Sequence, residues 1–111
     1  MKEITPEQWS QSCSNNGIHF IYFYTTMCGT CQLASKMLEI VEQSIPTVEL
    51  NKCNLNFFPD QAHEFEIESV PCFTVWKNGK VVEKIYAFQS VQYLYDIIKS
   101  YEFHNYERKQ T

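Results

Sequence analysis

Two thiols stand three residues apart at Cys28 and Cys31, in the run Thr25-Thr26-Met27-Cys28-Gly29-Thr30-Cys31, directly after the apolar stretch Ile18–Tyr24. On the first turn of a helix that spacing brings two sulfurs within bridging distance. A sulfur at a helix N-terminus also faces free N–H groups and the positive end of the macrodipole, so its thiolate forms below the ordinary cysteine pKa of about 8.5. Only the thiolate attacks disulfides. The pattern therefore implies thiol–disulfide exchange: Cys28 attacks a disulfide, a mixed disulfide forms, and Cys31 displaces the reduced product while closing the internal bridge. Gly29, between the two, lets a substrate chain approach closely.

Cys13, Cys53 and Cys72 bring the total to five. An odd count does not fit a closed set of structural bridges, and in a reducing compartment a close pair points to redox or metal chemistry. Zinc and iron–sulfur centres also use CxxC but need four ligands. One CxxC supplies two, Cys72 offers a third, and no second CxxC or CxxH completes the set. A metal or cluster site would therefore require a dimer sharing ligands across its interface. The expectation is a metal-free centre whose redox group is the Cys28–Cys31 disulfide. Cys72 admits three readings: a third redox thiol, a site of glutathionylation, or an inert buried residue. The last is favoured because free cysteines are among the most buried residue types, and Cys53 and Cys13 are read as packing residues more readily still.

At 111 residues, 44% of them hydrophobic and 20% charged, the chain has the size and balance of one globular domain with a single core. Nine Lys and Arg against thirteen Asp and Glu give a net charge of −4, with the basic residues scattered, which argues against a nucleic-acid partner. The opening stretch has no apolar core of the kind a secretory signal needs, and the apolar run before the cysteines is too short to cross a bilayer. A cytoplasmic monomer with no membrane partner is the expectation, an exported form lacking its leader being the alternative.

The elements that must position the pair follow from periodicity and turn chemistry. A short strand ends at Ile4. Thr5-Pro6-Glu7-Gln8 opens a helix, with Thr as N-cap, Pro at the first position and Gln closing a capping box, and the helix ends near Asn15-Asn16-Gly17. Residues 18–24 are apolar without alternation, as in a central strand covered on both faces. From Cys28 to Ser44, Leu33, Ala34, Met37, Leu38, Ile40 and Val41 give one broad buried helix face, which Pro46 ends. Thr47–Leu55 reads as a strand and Pro59–Phe65 as a short helix. Cys72–Trp76 and Val81–Tyr86 flank Asn78-Gly79, the signal of a tight antiparallel hairpin. Ser90–Tyr101 closes the fold as a helix, and residues 102–111 form a polar, frayed tail. The order is that of an α/β protein, a central mixed β-sheet flanked by helices. In such sheets reactive sites lie where strands hand over to helices at their carboxyl ends, which is where the two cysteines fall.

With these features in order, residues 2–101 resemble a thioredoxin-like protein of the bacterial thioredoxin family. The resemblance rests on Thr5 before the first helix, the aromatic strand leading to CGTC, the helix after it, Asn56 to Pro59, Val70-Pro71 about forty residues past the pair, and Lys77-Asn78-Gly79. It implies the thioredoxin fold over residues 1–101 and a protein-disulfide oxidoreductase with Cys28 and Cys31 as catalytic pair. Its partners would be disulfide-containing proteins and a reductase that regenerates the dithiol. It also implies a cis Val70–Pro71 peptide beside the cysteines, with Val70 pairing to the substrate backbone and Met27, Gly29, Thr30 and Pro71 completing the substrate surface.

Four departures stand out. Met27 replaces the family's usual aromatic residue and Thr30 its usual proline, a change that frees a backbone N–H and adds a hydroxyl near Cys28, favouring the reduced thiolate. Tyr22 stands where a buried carboxylate normally lies beneath the second cysteine, while Lys52 matches that carboxylate's lysine neighbour. Tyr22 donates a hydrogen bond but is a poor base, and both residues also read as ordinary packing and strand-end residues. Ala87 takes the place of a glycine that flattens the docking surface. Trp9 and Trp76 read as packing on the sheet, His19 as a strand-end residue, and His63 and His104 as solvated. Met27, Phe57 and Phe58 offer an apolar rim, with core packing an equal alternative for the two phenylalanines. A binding module of low turnover is the remaining reading.

Overall fold

The computed structural model describes residues 1–14 and 16–110, with side chains for all of these except 12–14 and 103–110. Among them, β1 (Lys2–Glu3) leads through a 3-10 turn (Pro6–Gln8) into α1 (Trp9–Ser14). Then come β2 (Ile18–Tyr24), α2 (Gly29–Ser44), β3 (Asn51–Asn54), a second 3-10 turn (Leu55–Phe57) and α3 (Pro59–Glu64). The hairpin β4 (Cys72–Lys77) and β5 (Lys80–Ile85) precedes α4 (Val91–Gln110). The strands form one sheet in the order β1-β3-β2-β4-β5, in which β1, β3 and β2 are parallel while β4 and β5 each run antiparallel to their neighbours. This is the mixed sheet of the thioredoxin fold.

β2 is central, and its unbroken apolar run is explained by a core on each side. Phe20 and Tyr22 point to one face, where they meet Ala34, Leu38 and Val41 of α2 and Leu94 and Ile98 of α4. Ile21 and Phe23 point to the other, among Phe58, Cys53, Cys72 and Trp76, with Trp9 of α1 packed against them. Each large apolar side chain so buried contributes roughly 1.5–3 kcal/mol. Polar atoms inside are paired: Trp76 Nε1 donates to Thr74 Oγ1 at 2.7 Å, and Thr74 Oγ1 donates to the Ile21 carbonyl at 2.7 Å. Both tryptophans pack against the sheet as expected.

Local signals read from sequence recur with adjustments. Gln8 Oε1 accepts from the Thr5 N–H at 3.2 Å, so the reciprocal half of the capping box forms, although the chain begins as a 3-10 turn before α1. The hairpin turn has positive φ at both Asn78 (52°) and Gly79 (82°), the geometry that Asn-Gly favours. Asn78 also clamps the start of β2, its N–H donating to the Gly17 carbonyl at 2.9 Å and its Oδ1 accepting from the Gly17 N–H at 2.8 Å.

Three expectations need correction, and one pair of alternatives is decided. β3 is confined to Asn51–Asn54 rather than Thr47–Leu55, because the Val48 N–H turns back to the Ile45 carbonyl and the Leu50 N–H is taken by the Glu42 carboxylate at 2.8 Å. The buried stripe of α2 is narrower than its apolar pattern: Ala34, Leu38 and Val41 are buried, whereas Leu33 and Ile40 are exposed. Of the two readings held equal for Phe58, the structure takes core packing. Finally, α4 does not stop at Tyr101. No proline or glycine interrupts the following residues, and the backbone stays helical through Gln110.

Candidate active site

Chain connectivity assembles the site at the carboxyl end of β2. There the strand passes through Thr25-Thr26-Met27 into α2, with Cys28 as N-cap in extended conformation (φ −115°, ψ 109°). Because β2 and β4 are antiparallel and Phe23 pairs with Cys72, the residues just before β4 lie beside those just after β2. That register carries Pro71 toward the start of α2, where it lines a recess with Thr30, and the Val70–Pro71 peptide is cis, as the resemblance implied.

The two sulfurs occupy unlike environments. Cys28 is half-buried and Cys31 buried, and both are free thiols. Cys28 Sγ accepts the Cys31 backbone N–H at 3.2 Å and shares a hydrogen bond with Thr30 Oγ1 at 3.3 Å. The Cys31 thiol first, then the Thr30 hydroxyl, together with the backbone N–H groups of both residues, hold the Cys28 thiol below its ordinary range. Burial pushes the Cys31 thiol up, and the neighbouring Cys28 adds to that. Of the two, the outer sulfur is thus the easier to ionise.

Two recesses flank the pair. One, of about 360 Å³, is lined chiefly by apolar side chains, among them Leu33, Met37, Tyr86 and Phe88, with Thr30 and Pro71 also in its wall. The other, of about 420 Å³, holds both cysteines in its wall with Thr25, Thr26, Ser35, Lys36 and Glu39. Neither recess includes Met27, Gly29 or Val70. Met27 is 94% exposed, Val70 is half-buried against the Phe23 core, and a Cβ at Gly29 would meet nothing within 4 Å. No neighbour inside the protein requires glycine there.

Beneath the pair, Tyr22 is fully buried; its O–H donates to the Cys31 carbonyl at 2.9 Å, and Ser35 Oγ donates to the Tyr22 oxygen at 3.4 Å. Ser35 was not singled out from sequence. Its position four residues after Cys31, one helical turn on, is the signal that could have found it. Lys52 turns elsewhere, its Nζ lying 5.7 Å from the centroid of the Tyr24 ring. Phe57 is exposed and Ala87 lies at the surface, next to the buried Phe88 of the apolar recess.

Cys72 is fully buried on the opposite face of the sheet from Tyr22, and burial pushes its thiol up to about 11, with Tyr86 and Lys84 opposing. The inert reading fits that environment. Among the described residues no three His, Cys, Asp or Glu side chains gather in a metal-binding group, so Cys72 does not join the pair. Among them, too, no helix is long and apolar enough to cross a membrane. His19 Nε2 lies 3.2 Å from the Asn16 carbonyl and His63 is solvated, while the side chains of Cys13 and His104 lie outside the described residues.

A family model described as Thioredoxin matches residues 1–100. The chain belongs to the thioredoxin family. It is 52% identical over 99 residues to Thioredoxin-like protein YusE of Bacillus subtilis (strain 168), covering 89% of this chain and 92% of that protein. It is 29% identical over 102 residues to the thioredoxin of Listeria monocytogenes, covering 91% and 98%. Among solved structures, the oxidised thioredoxin of Plasmodium falciparum matches with a TM-score of 0.76 at 20% identity over 91% and 97% of the two chains, a likeness of fold alone. A thioredoxin-family protein with a closely spaced pair at 28 and 31 has general thiol–disulfide character, and the inequality of its two thiols is the local form that character takes here.

Proposed function

We propose that this protein is a thiol–disulfide oxidoreductase that reduces or exchanges disulfides in other proteins, working as a cytoplasmic monomer recycled by a separate dithiol reductase. The observation that carries the reading is the capping of α2 by Cys28 Sγ, which accepts the Cys31 N–H at 3.2 Å and so presents an anion-stabilised nucleophile at the surface. Cys28 attacks one sulfur of the substrate disulfide, expelling the other as a thiolate. Cys31, having lost its proton to solvent, then attacks Cys28 Sγ and releases the second substrate sulfur. The apolar recess between Thr30 and Pro71 receives the substrate chain, whose backbone pairs with Val70, while Met27 and Gly29 meet it from the cysteine side. The test is reduction of insulin in the presence of dithiothreitol. Wild-type protein should accelerate precipitation of the B chain and Cys28→Ser should not; equal rates with the two would remove the catalytic reading.

A further inference from the structure

The Tyr22 hydroxyl has one proton to give and its oxygen is already engaged. Ser35 Oγ donates to that oxygen at 3.4 Å, while the Tyr22 O–H donates to the Cys31 carbonyl at 2.9 Å. The ring is fully buried, so no competing solvent reaches it. Burial raises the phenol well above its ordinary pKa, so it holds its proton throughout the range in which thiols exchange and cannot serve as a base. The same hydroxyl bears on the Cys31 thiol and opposes its upward shift. The Cys31 carbonyl is the acceptor seen, and the buried thiol of the same residue offers the O–H a second one, with Ser35 keeping the oxygen satisfied whichever is chosen.

We propose that Tyr22 is a hydrogen-bond donor to the inner sulfur, turning its O–H from the Cys31 carbonyl to Cys31 Sγ whenever that sulfur carries negative charge. The inference rests on the exchange cycle proposed above and concerns its second step. In the mixed disulfide, Cys31 loses a proton to solvent. Its thiolate forms a bond to Cys28 Sγ, and the Cys28–substrate S–S bond breaks with the electron pair leaving on the substrate sulfur. A donor at Cys31 raises the thiolate fraction near neutral pH, and because attack strength falls only partly as a thiol becomes more acidic, resolution is faster. In the reverse direction, a thiolate attacking Cys28 of the internal disulfide expels Cys31 as the leaving group, and the same donor stabilises it. A donor thus stands where the family's usual carboxylate supplies a base.

The experiment is stopped-flow reaction of the reduced protein with 5,5′-dithiobis(2-nitrobenzoate), which releases one thionitrobenzoate on attack by Cys28 and a second when Cys31 resolves the adduct. The second phase is followed from about pH 6 to pH 10 in wild type, Tyr22→Phe and Ser35→Ala. For Tyr22→Phe the rate at pH 7 should fall about three- to tenfold, its midpoint should move to higher pH, and the two proteins should converge at alkaline pH, where Cys31 ionises unaided. Ser35→Ala, which weakens the donor without removing it, should give a smaller shift in the same direction. A Tyr22→Phe profile superimposable on wild type, or slowed equally at every pH as by a merely structural defect, would overturn the proposal. Should circular dichroism show Tyr22→Phe unfolded, an unshifted Ser35→Ala profile would overturn it instead. Absence of a second phase in the wild type would remove the exchange cycle itself, and this inference with it.

Discussion

Cys28 Sγ lies 3.2 Å from the backbone nitrogen of Cys31, so the residue that carries the inner thiol also supplies a hydrogen bond to the outer one. One turn of helix thereby does two jobs. It places the two thiols one turn apart, and it points an N–H at the outer sulfur while burying the inner one.

Thr30 contributes to that charge through its hydroxyl, 3.3 Å from Cys28 Sγ. Because the hydroxyl favours the thiolate, removing it should raise the Cys28 pKa. Alkylation by iodoacetamide, followed against pH by mass spectrometry, should show Cys28 reacting below the midpoint of a free cysteine in the wild type. Thr30→Val should shift that midpoint upward, and an unchanged midpoint would show the hydroxyl to be idle.

A proline at position 30 would remove both the hydroxyl and a backbone N–H that support the thiolate. The wild-type pair is accordingly expected to be less reducing than an ordinary thioredoxin at about −270 mV, and Thr30→Pro to move it toward that value, each tenfold change in equilibrium constant being about 30 mV. Equilibration with glutathione measures both. A wild-type potential at or below the ordinary one would contradict this account.

Gly29 has open space where a side chain would begin. Gly29→Ala should therefore fold normally, with stability unchanged or raised by up to about 1 kcal/mol from helix propensity. If glycine is there for an incoming chain, kcat/KM for a protein disulfide should fall several-fold while reaction with a small aromatic disulfide is spared. Equal effects on the two substrates would argue that position 29 acts on the sulfur instead.

Cys72 is pushed up to about 11 by burial, so the folded state favours its neutral thiol. The unfolded chain ionises near an ordinary value of about 8.5. Its contribution to stability is therefore complete below that value and is lost as pH rises from there toward 11. Urea unfolding at increasing pH should show the stability gap between wild type and Cys72→Ala narrowing across this window. In native protein at pH 8, iodoacetamide should leave Cys72 unlabelled while Cys28 reacts.

The alternation of strands and helices, the Asn-Gly hairpin and the position of the cysteines at a strand-to-helix junction were all written locally, in periods of 2 and 3.6 residues and in the few residue types that cap helices or turn chains. So was the order of the two thiols along the chain, although the helix expected from Cys28 begins at Gly29 and leaves Cys28 as its N-cap. Other features depend on what arrives from elsewhere in the chain. The pattern of α2 shows Ile40 and Val41 alike as apolar, yet only packing against β2 and α4 selects Val41 for burial. Phe57 and Phe58 are identical in type and adjacent, and the core beneath α1 took one of them. That Pro71 shares a recess with Thr30 depends on the antiparallel register of β2 and β4, and the pairing of Tyr22 with Ser35 under Cys31 depends on how α2 sits on the sheet. Sequence determined which groups could react, because reactivity begins with residue type and local backbone. Tertiary structure decided which of them meet, because contacts between distant segments are settled by packing the whole core at once.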